Sequence, residues 1–507
     1  MPGVSVQATD LRAVFPRPVL LAPNVAFWTD AFSKISEYQS VIHFQDQPHK
    51  IYAVLDFRDD AVRLGPAAAR RAQSRAEVAT KREIDKHLKR VHALRATPEK
   101  MSADEKKLHD LLADVDGANR YKDAVGRFRS QRGLKEKTER ALKVSGQYLP
   151  KMEAIFAAEG LPVLLTRLPL VESSFNVEAY SKVGAAGLWQ FIPSSARIYM
   201  RLDEAVDDRR DPWTSTQAAA RHLKEDYAAL GNWPLAITAY NHGRAGLAKG
   251  LREVKGDSLE DLLARWDGRR FGFASRNFYA EFLAAIDVEQ DHRDHFGEIQ
   301  KHDPIEFDVV QIQHYVSYAA LQQCAGLDDA QFRLLNPGYR PEVLDGRLFV
   351  PPQTSIRVPV GAGEKFMNAY LSLDASQRFD QQRFYYVRYR VQKGDNLGAI
   401  ARRYGVRVTD LKQANGIGNK TFIRAGQVLK IPPRGGARTL KVAAAKDDAA
   451  PPAPGVTDFL THQVRPGQSL TSIARQYRTT IDALRQLNGF DEAYLLKAGA
   501  VVKVPSY

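Results

Sequence analysis

Glu172 stands where acid chemistry is possible. It closes an apolar run in which Leu164, Leu165, Leu168 and Val171 recur at helical spacing. Pro162 suits a first helical position, and Pro169 inside the run predicts a kink or broken turn just before the Glu. A carboxyl group against an apolar wall has its charged form disfavoured, so its pKa rises and it can hold a proton near neutral pH. A general acid needs that property. From position alone a solvated Glu at a helix C-terminus fits equally well, and the residues that follow tip the balance. Gly184, Gly187 and the two alanines between them predict a tight turn in which backbone can approach a ligand. The turn delivers Leu188, Trp189, Gln190 and Phe191: two aromatics and an amide, suited to stacking on sugar faces and to hydrogen-bonding an acetamido group. Pro193 then opens another helix.

Three separated motifs occur in one order: Val171-Glu172-Ser173-Ser174-Phe175-Asn176 with Ser181, then Gly184-Ala185-Ala186-Gly187-Leu188-Trp189-Gln190-Phe191, then Ala236-Ile237-Thr238-Ala239-Tyr240-Asn241-His242-Gly243. On these residues the sequence resembles the catalytic region of the soluble lytic transglycosylase family, of the membrane-bound lytic murein transglycosylase D type. The resemblance implies a mainly α, lysozyme-like catalytic domain with Glu172 as single acid and base. It also implies that Ser173 and Gln190 position the sugar and that Tyr240 hydrogen-bonds the Glu. Ser181, Gly187, Trp189, Phe191 and Asn241 join them as substrate-binding candidates; Asn241 also fits a helix C-cap ahead of Gly243. The family's second aromatic, usually a tyrosine, falls at Phe278 with Tyr279 beside it, a departure from its pattern.

The elements that must position these groups are helical by spacing. Residues 1–24 read as a Pro-rich arm, and a helix is expected from Val25 to Phe44, carrying Trp28 and His43 as core residues. A strand is expected at Ile51 to Phe57, a long Ala- and Arg-rich helix over 66–100, and another helix over 102–131 that Asp116-Gly117 breaks. Two helices between Arg132 and Leu161 should pack on the Glu172 helix. Asp207 to Pro212 reads as a charged, capping turn, with helices to follow over Ser215–Leu230, from Trp233 onward, and over Phe271–Glu289. The resulting division is a helical lead-in over 1–120 and a catalytic domain over 121–300.

After residue 300 the chain changes to short strands and turns, and it repeats. Tyr389 to Pro433 and His462 to Pro505 place Ile400, Leu411 and Asn415 against Ile473, Leu484 and Asn488 at identical spacing. Each unit reads strand, helix, helix, strand over about 45 residues, the pattern of lysin-motif (LysM) modules, small α+β (βααβ) folds. Such modules bind glycans containing N-acetylglucosamine. Modules are therefore expected at 386–433 and 461–507, joined by a flexible Ala- and Pro-rich linker over 434–460. Leu321, Phe332 and Asn336 echo the pattern, giving a degenerate copy at 305–360. The turn residues Asp395, Asn396, Leu397, Asn415 and Ile417, with Gln468, Ser469 and Asn488, are the glycan-contact candidates; Asp395 and Gln468 fit helix capping equally well.

Composition bounds the rest. A chain of 507 residues with 44% apolar content exceeds one core. Its longest apolar runs, such as Val19 to Ala22, are far too short to span a bilayer. A net charge of +14 suits an anionic polymer or surface, yet the densest basic run, Arg70 to Arg95, interleaves Glu77, Glu83 and Asp85 as a solvated helix face does. Nucleic acid is not an expected partner. The single cysteine, Cys324, is read as a buried structural thiol. The 12 histidines show no ligand spacing, and neither metal nor cofactor is expected. No secretory signal is readable, since Leu11 to Ala26 is interrupted by Arg12, Arg17 and three prolines. Peptidoglycan glycan strands are the expected partner of a monomer in the periplasm or envelope of a Gram-negative bacterium, processed from a precursor that could be attached to the outer membrane. A hydrolytic glycosidase needs two carboxylates roughly 5 to 9.5 Å apart, whereas the motif offers Glu172 and no clear partner. That favours a lytic transglycosylase over a goose-type lysozyme-like hydrolase; a non-catalytic glycan-binding scaffold is the remaining rival.

Overall fold

The computed structural model describes residues 14–383, 386–418, 422–432 and 459–464, the single positions 473, 484 and 488, and residues 500–505. The chain divides into two compact units, one built on residues up to 311 with 322–340 and 355–372, the other on 312–321, 341–354 and 373 onward.

The lead-in is not purely helical. Helix α1, Ala22–Ser33, stops well short of Phe44, and Gln39–Phe44 forms strand β1 instead. β1 is the centre of an antiparallel sheet in the order β2-β1-β3, with β2 at Ile51–Asp56 and β3 at Phe128–Arg132. Val41 and Ile42 are β-branched and fully buried, which favours a central strand over the expected helix. Helix α2, Pro66–Leu94, lays Ile84, Leu88 and Val91 onto Ile42, Phe44 and Phe128. Helix α3, Ala103–Leu111, begins at a Ser102/Glu105 capping box. The chain turns at Gly117, where φ is +106°, forms a short helical turn at Arg120–Asp123 and reaches β3, so the expected helix over 102–131 is broken around Asp116-Gly117 and gives way to a strand at its end. Trp28 and His43 are core residues as anticipated; burial pushes the His43 pKa down to about 4 and keeps its ring neutral.

The next segment is all helical: α4 (Lys135–Ser145), α5 (Leu149–Ala158), a 3₁₀ turn (Val163–Arg167), α6 (Leu168–Glu172), α7 (Pro212–Leu230), α8 (Trp233–His242) and α9 (Phe273–Gln290). Prolines sit in the first turn of α5 to α8, where a missing N–H costs nothing. The long helix α9 packs against α1, α6 and α8 and joins the lead-in to the same core. Ala218 and Ala219 are fully buried, and the small side chains let α7 pack closely on its neighbours.

Two later segments share one order, and a third strand pair follows them. The first runs from β4 (Asp308–Gln311) through α10 (Tyr318–Ala325) and α11 (Asp329–Leu335) to β5 (Ser355–Val358), with β4 antiparallel to β5. The second runs from β6 (Val387–Arg390) through α12 (Leu397–Tyr404) and α13 (Val408–Ala414) to β7 (Val428–Ile431). In the third, β8 (Phe459–Gln463) pairs antiparallel with β9 (Val501–Pro505). One asparagine latches each fold. Asn415 Nδ2 donates to Leu411 O and Lys430 O while its Oδ1 accepts from Lys430 N, all at 2.7 Å. Asn336 makes the same three bonds to Phe332 and Arg357, and Asn488 the first of them to Leu484.

Candidate active site

Pro169 does not kink a continuous helix. The 3₁₀ turn ends at Arg167, and Pro169 sits in the first turn of the short helix α6, whose last residue is Glu172. Immediately afterwards the chain reverses: Ser174 and Phe175 take φ of +52° and +53°, a region that non-glycine residues rarely enter. Buried Phe175 anchors the reversal, and its N–H donates to Pro169 O at 3.1 Å. Gln190, across the site, is also left-handed at +47°; three of the five such residues among those described therefore flank Glu172. Strain of about 1–3 kcal/mol per residue is held where over-determined packing can hold it, as functional sites do. Burial drives the Glu172 pKa up to about 8, so the carboxyl is largely protonated at neutral pH.

The facing loop is braced from behind. Gly187 has φ +77°, and a Cβ there would lie 1.7 Å from Arg209 O. The close approach that requires glycine is thus to protein backbone and not to a ligand. Arg209 pairs with Asp207 at 2.8 Å in the interior and donates to Gly184 O and Phe191 O. Asp211 caps α7, accepting from Trp213 N and Thr214 N.

Several candidates take roles other than sugar contact. Trp189 is fully buried, stacked on Phe156 and donating to Thr216 Oγ1, so it offers no face to a sugar; Phe191 is equally a core residue. Ser173 donates its hydroxyl to Leu188 O, and Ser181 Oγ accepts from Ala185 N, both inside the loop. Gln190 Nε2 donates to Gly187 O at 2.8 Å, leaving Oε1 as its only group able to accept from a substrate. Tyr240 does not hydrogen-bond Glu172: its hydroxyl donates to Trp189 O at 2.8 Å, although the Glu172 charge helps raise its pKa. Phe278 and Tyr279 are buried, and the Tyr279 hydroxyl donates to Pro16 O. Asn241 is exposed, in the last turn of α8 and not at its cap, and accepts from Ser275 Oγ. These corrections share one cause: residues beside a cleft are also the residues that wall it.

Two features escaped the sequence reading. Glu281, midway along α9, is half-buried, and its pKa is pushed up to about 8, first by burial and then by the Glu172 charge. The sequence reading gives a helix over Phe271–Glu289 and singles out Phe278 and Tyr279 in it, not Glu281. Tyr180, 71% exposed on the same loop as Val183, supplies the accessible aromatic face that Trp189 does not.

In the first LysM-like repeat after residue 386, Asp395 accepts from Gln392 N, Asn396 caps α12 through Ala399 N, Leu397 is buried and Ile417 packs on the core. Asn415 and Asn488 are latches. These residues hold turns; Phe422, 73% exposed, is an aromatic that the spacing did not single out. Gln468 and Ser469 lie outside the described residues.

Comparison with known proteins agrees with this geometry. Residues 153–262 match the Transglycosylase SLT domain, and residues 389–432 and 462–505 match the LysM domain. The chain therefore carries a helical, lysozyme-like transglycosylase SLT domain and two LysM domains. It is 28% identical over 340 residues to membrane-bound lytic murein transglycosylase D of Escherichia coli K12, covering 65% of this chain and 70% of that protein. A probable peptidoglycan endopeptidase LytE of Bacillus subtilis is 32% identical over 116 residues, 23% of this chain and 31% of that one. Among solved structures, lytic transglycosylase Slt from Pseudomonas aeruginosa covers 40% of this chain and 33% of its own, with 16% identity and a TM-score of 0.26.

Proposed function

We propose that the protein is a lytic transglycosylase that cuts the β-1,4 bond between N-acetylmuramic acid and N-acetylglucosamine in peptidoglycan, with Glu172 as its acid and base. The observation that carries this reading is the protonated, desolvated carboxyl at the end of α6 inside an SLT domain. Glu172 gives its proton to the glycosidic oxygen as the bond to muramyl C1 breaks. The substrate's acetamido group stabilises the developing positive charge. The muramyl C6 oxygen then bonds to C1 and its proton passes to Glu172, closing a 1,6-anhydro ring and restoring the acid. No water enters the products.

The remaining groups support that cycle. Tyr240, by fixing Trp189 O, and Ser173, by fixing Leu188 O, hold the loop opposite Glu172. Gln190 Oε1 and the exposed Tyr180 face are suited to an acetamido N–H and a sugar ring. The LysM modules raise retention on a polymeric wall through effective concentration. Residues 308–358 form a third, divergent module of this kind, on the strength of the shared βααβ order and the Asn336 latch. The site of action is the periplasm, where the protein works as a monomer and its precursor is held at the outer membrane.

Mass spectrometry of material released from purified sacculi tests the reaction. The protein should release muropeptides ending in 1,6-anhydro sugars, and Glu172→Gln should lower that release about 10²- to 10⁴-fold. Reducing ends one water heavier would instead identify a hydrolase, a reading that the second carboxyl at Glu281 keeps in view. No release by either protein, with sacculus binding intact, would leave a scaffold.

A further inference from the structure

Helix α9 carries three acidic side chains from its middle onward, and they are treated differently. Glu289 pairs with Arg167 and Lys301, and Asp287 with Arg17. Among the described residues Glu281 has no hydrogen-bonding group or cation against it, and the only charge acting on it is that of Glu172. Its helix packs both on α6, which ends in Glu172, and on α8, which carries Tyr240. Its helical neighbours Phe278 and Phe282 are buried, and so is Asn277 one turn before it, whose amide is engaged with Asn24, Trp28 and Phe273 O.

Other charged groups on elements around α9 are engaged elsewhere. At the C-terminal end of α1, Lys34 pairs with Asp30. Arg167 of the 3₁₀ turn is held by Glu153 and Glu289. His242 of α8 lies against Ser275, and Arg129 of β3 lies over Phe273, both nearer the start of α9. In the short helix after α9, Arg293 pairs with Glu298 and His292 Nδ1 contacts Glu289 O.

A carboxyl with no protein partner among the described residues, on a helix packed against the one that ends in Glu172 and close enough to feel that residue's charge, has its hydrogen-bonding capacity unspent. We propose that Glu281 is a second carboxyl of the active centre, touching the bound glycan and donating a hydrogen bond to it while Glu172 exchanges the catalytic proton. The inference rests on the transglycosylase reading above. Two like charges in one site do not ionise together, so once Glu172 has given up its proton Glu281 keeps its own. A neutral carboxyl has an O–H to donate, which a carboxylate lacks. No covalent step passes through Glu281.

The test compares wild type, Glu281→Ala and Glu281→Gln on purified sacculi, with product masses, pH profiles and sacculus pelleting as readouts. Glu281→Ala should lower kcat/KM about 10²-fold while still pelleting with sacculi and giving 1,6-anhydro ends. Glu281→Gln, which keeps a neutral donor of the same shape, should recover activity to within about tenfold of wild type. Its alkaline limb should report one ionisation where wild type reports a coupled pair. An Ala variant within twofold of wild type, with an unchanged pH profile, would overturn the assignment while leaving the reaction standing. A Gln variant as inactive as Ala, despite retained pelleting, would also overturn it, because the ionised form would then be required. Reducing ends from wild type that vanish with Glu281→Gln would overturn both readings, making Glu281 a base for water.

Discussion

Glu172 can act as an acid because its surroundings penalise charge, and the same penalty ties activity and stability to pH. Between the ordinary carboxylate value of 4.5 and about 8, the folded protein holds a proton that the unfolded chain has already released. Stability therefore falls as pH rises through that window. Glu172→Gln carries no such penalty. Its melting temperature should differ little from wild type at pH 4 and exceed it by about a few degrees at pH 9. Calorimetry at the two pH values checks this, and a variant less stable than wild type at pH 9 would refute it. The kcat/KM of wild type should fall as pH rises through about 8, since the proton to be donated is lost there.

At the scale of elements, the catalytic loop owes its shape to the turn behind it. Gly187 admits Arg209 O where any Cβ would collide, and the Arg209 guanidinium ties Gly184 O and Phe191 O together. Gly187→Ala would meet both a left-handed φ and a backbone clash. It should destabilise the domain by more than about 1 kcal/mol and abolish most sacculus clearing, while pelleting through the LysM modules persists. Thermal melts with turbidity and pelleting assays separate those effects. The motif was legible as a tight, glycine-dependent turn. That the close approach is to Arg209 O was not, because Arg209 is more than twenty residues away in the chain and a glycine does not declare its neighbour.

At the scale of the whole molecule, the first βααβ segment is fastened to the catalytic core by buried charge. Arg357 of β5 pairs with Asp211, the cap of α7, and lies 4.8 Å from the centre of the Trp213 ring. Arg340 adds a contact to Asp207, the partner of Arg209, so the fastening reaches the turn that braces the catalytic loop. Removing one partner of such a pair leaves a buried, uncompensated charge. Arg357→Ala should therefore cost about 3–5 kcal/mol, read as a lowered denaturation midpoint. A midpoint unchanged within error would mean that this segment is held by apolar packing alone.

The sequence by itself determined the helical catalytic core, the Glu172 motif and the repeated strand–helix–helix–strand units, because periodicity, proline placement and equal spacing are local and repeat-level signals. Tertiary structure alone decided which residues line the cleft and which form its wall. Trp189, Phe191, Phe278 and Tyr279 read as ligand-facing aromatics, yet burial assigns them to the core, while Glu281 drew no notice in the sequence and lies where the Glu172 charge acts on it. The lead-in turned on the same distinction: Gln39–Phe44 has helical spacing locally, but a central strand is stabilised by partners at 51–56 and 128–132 that no local window contains. Burial and long-range pairing depend on what the rest of the chain brings alongside, and that is settled only when the chain is folded.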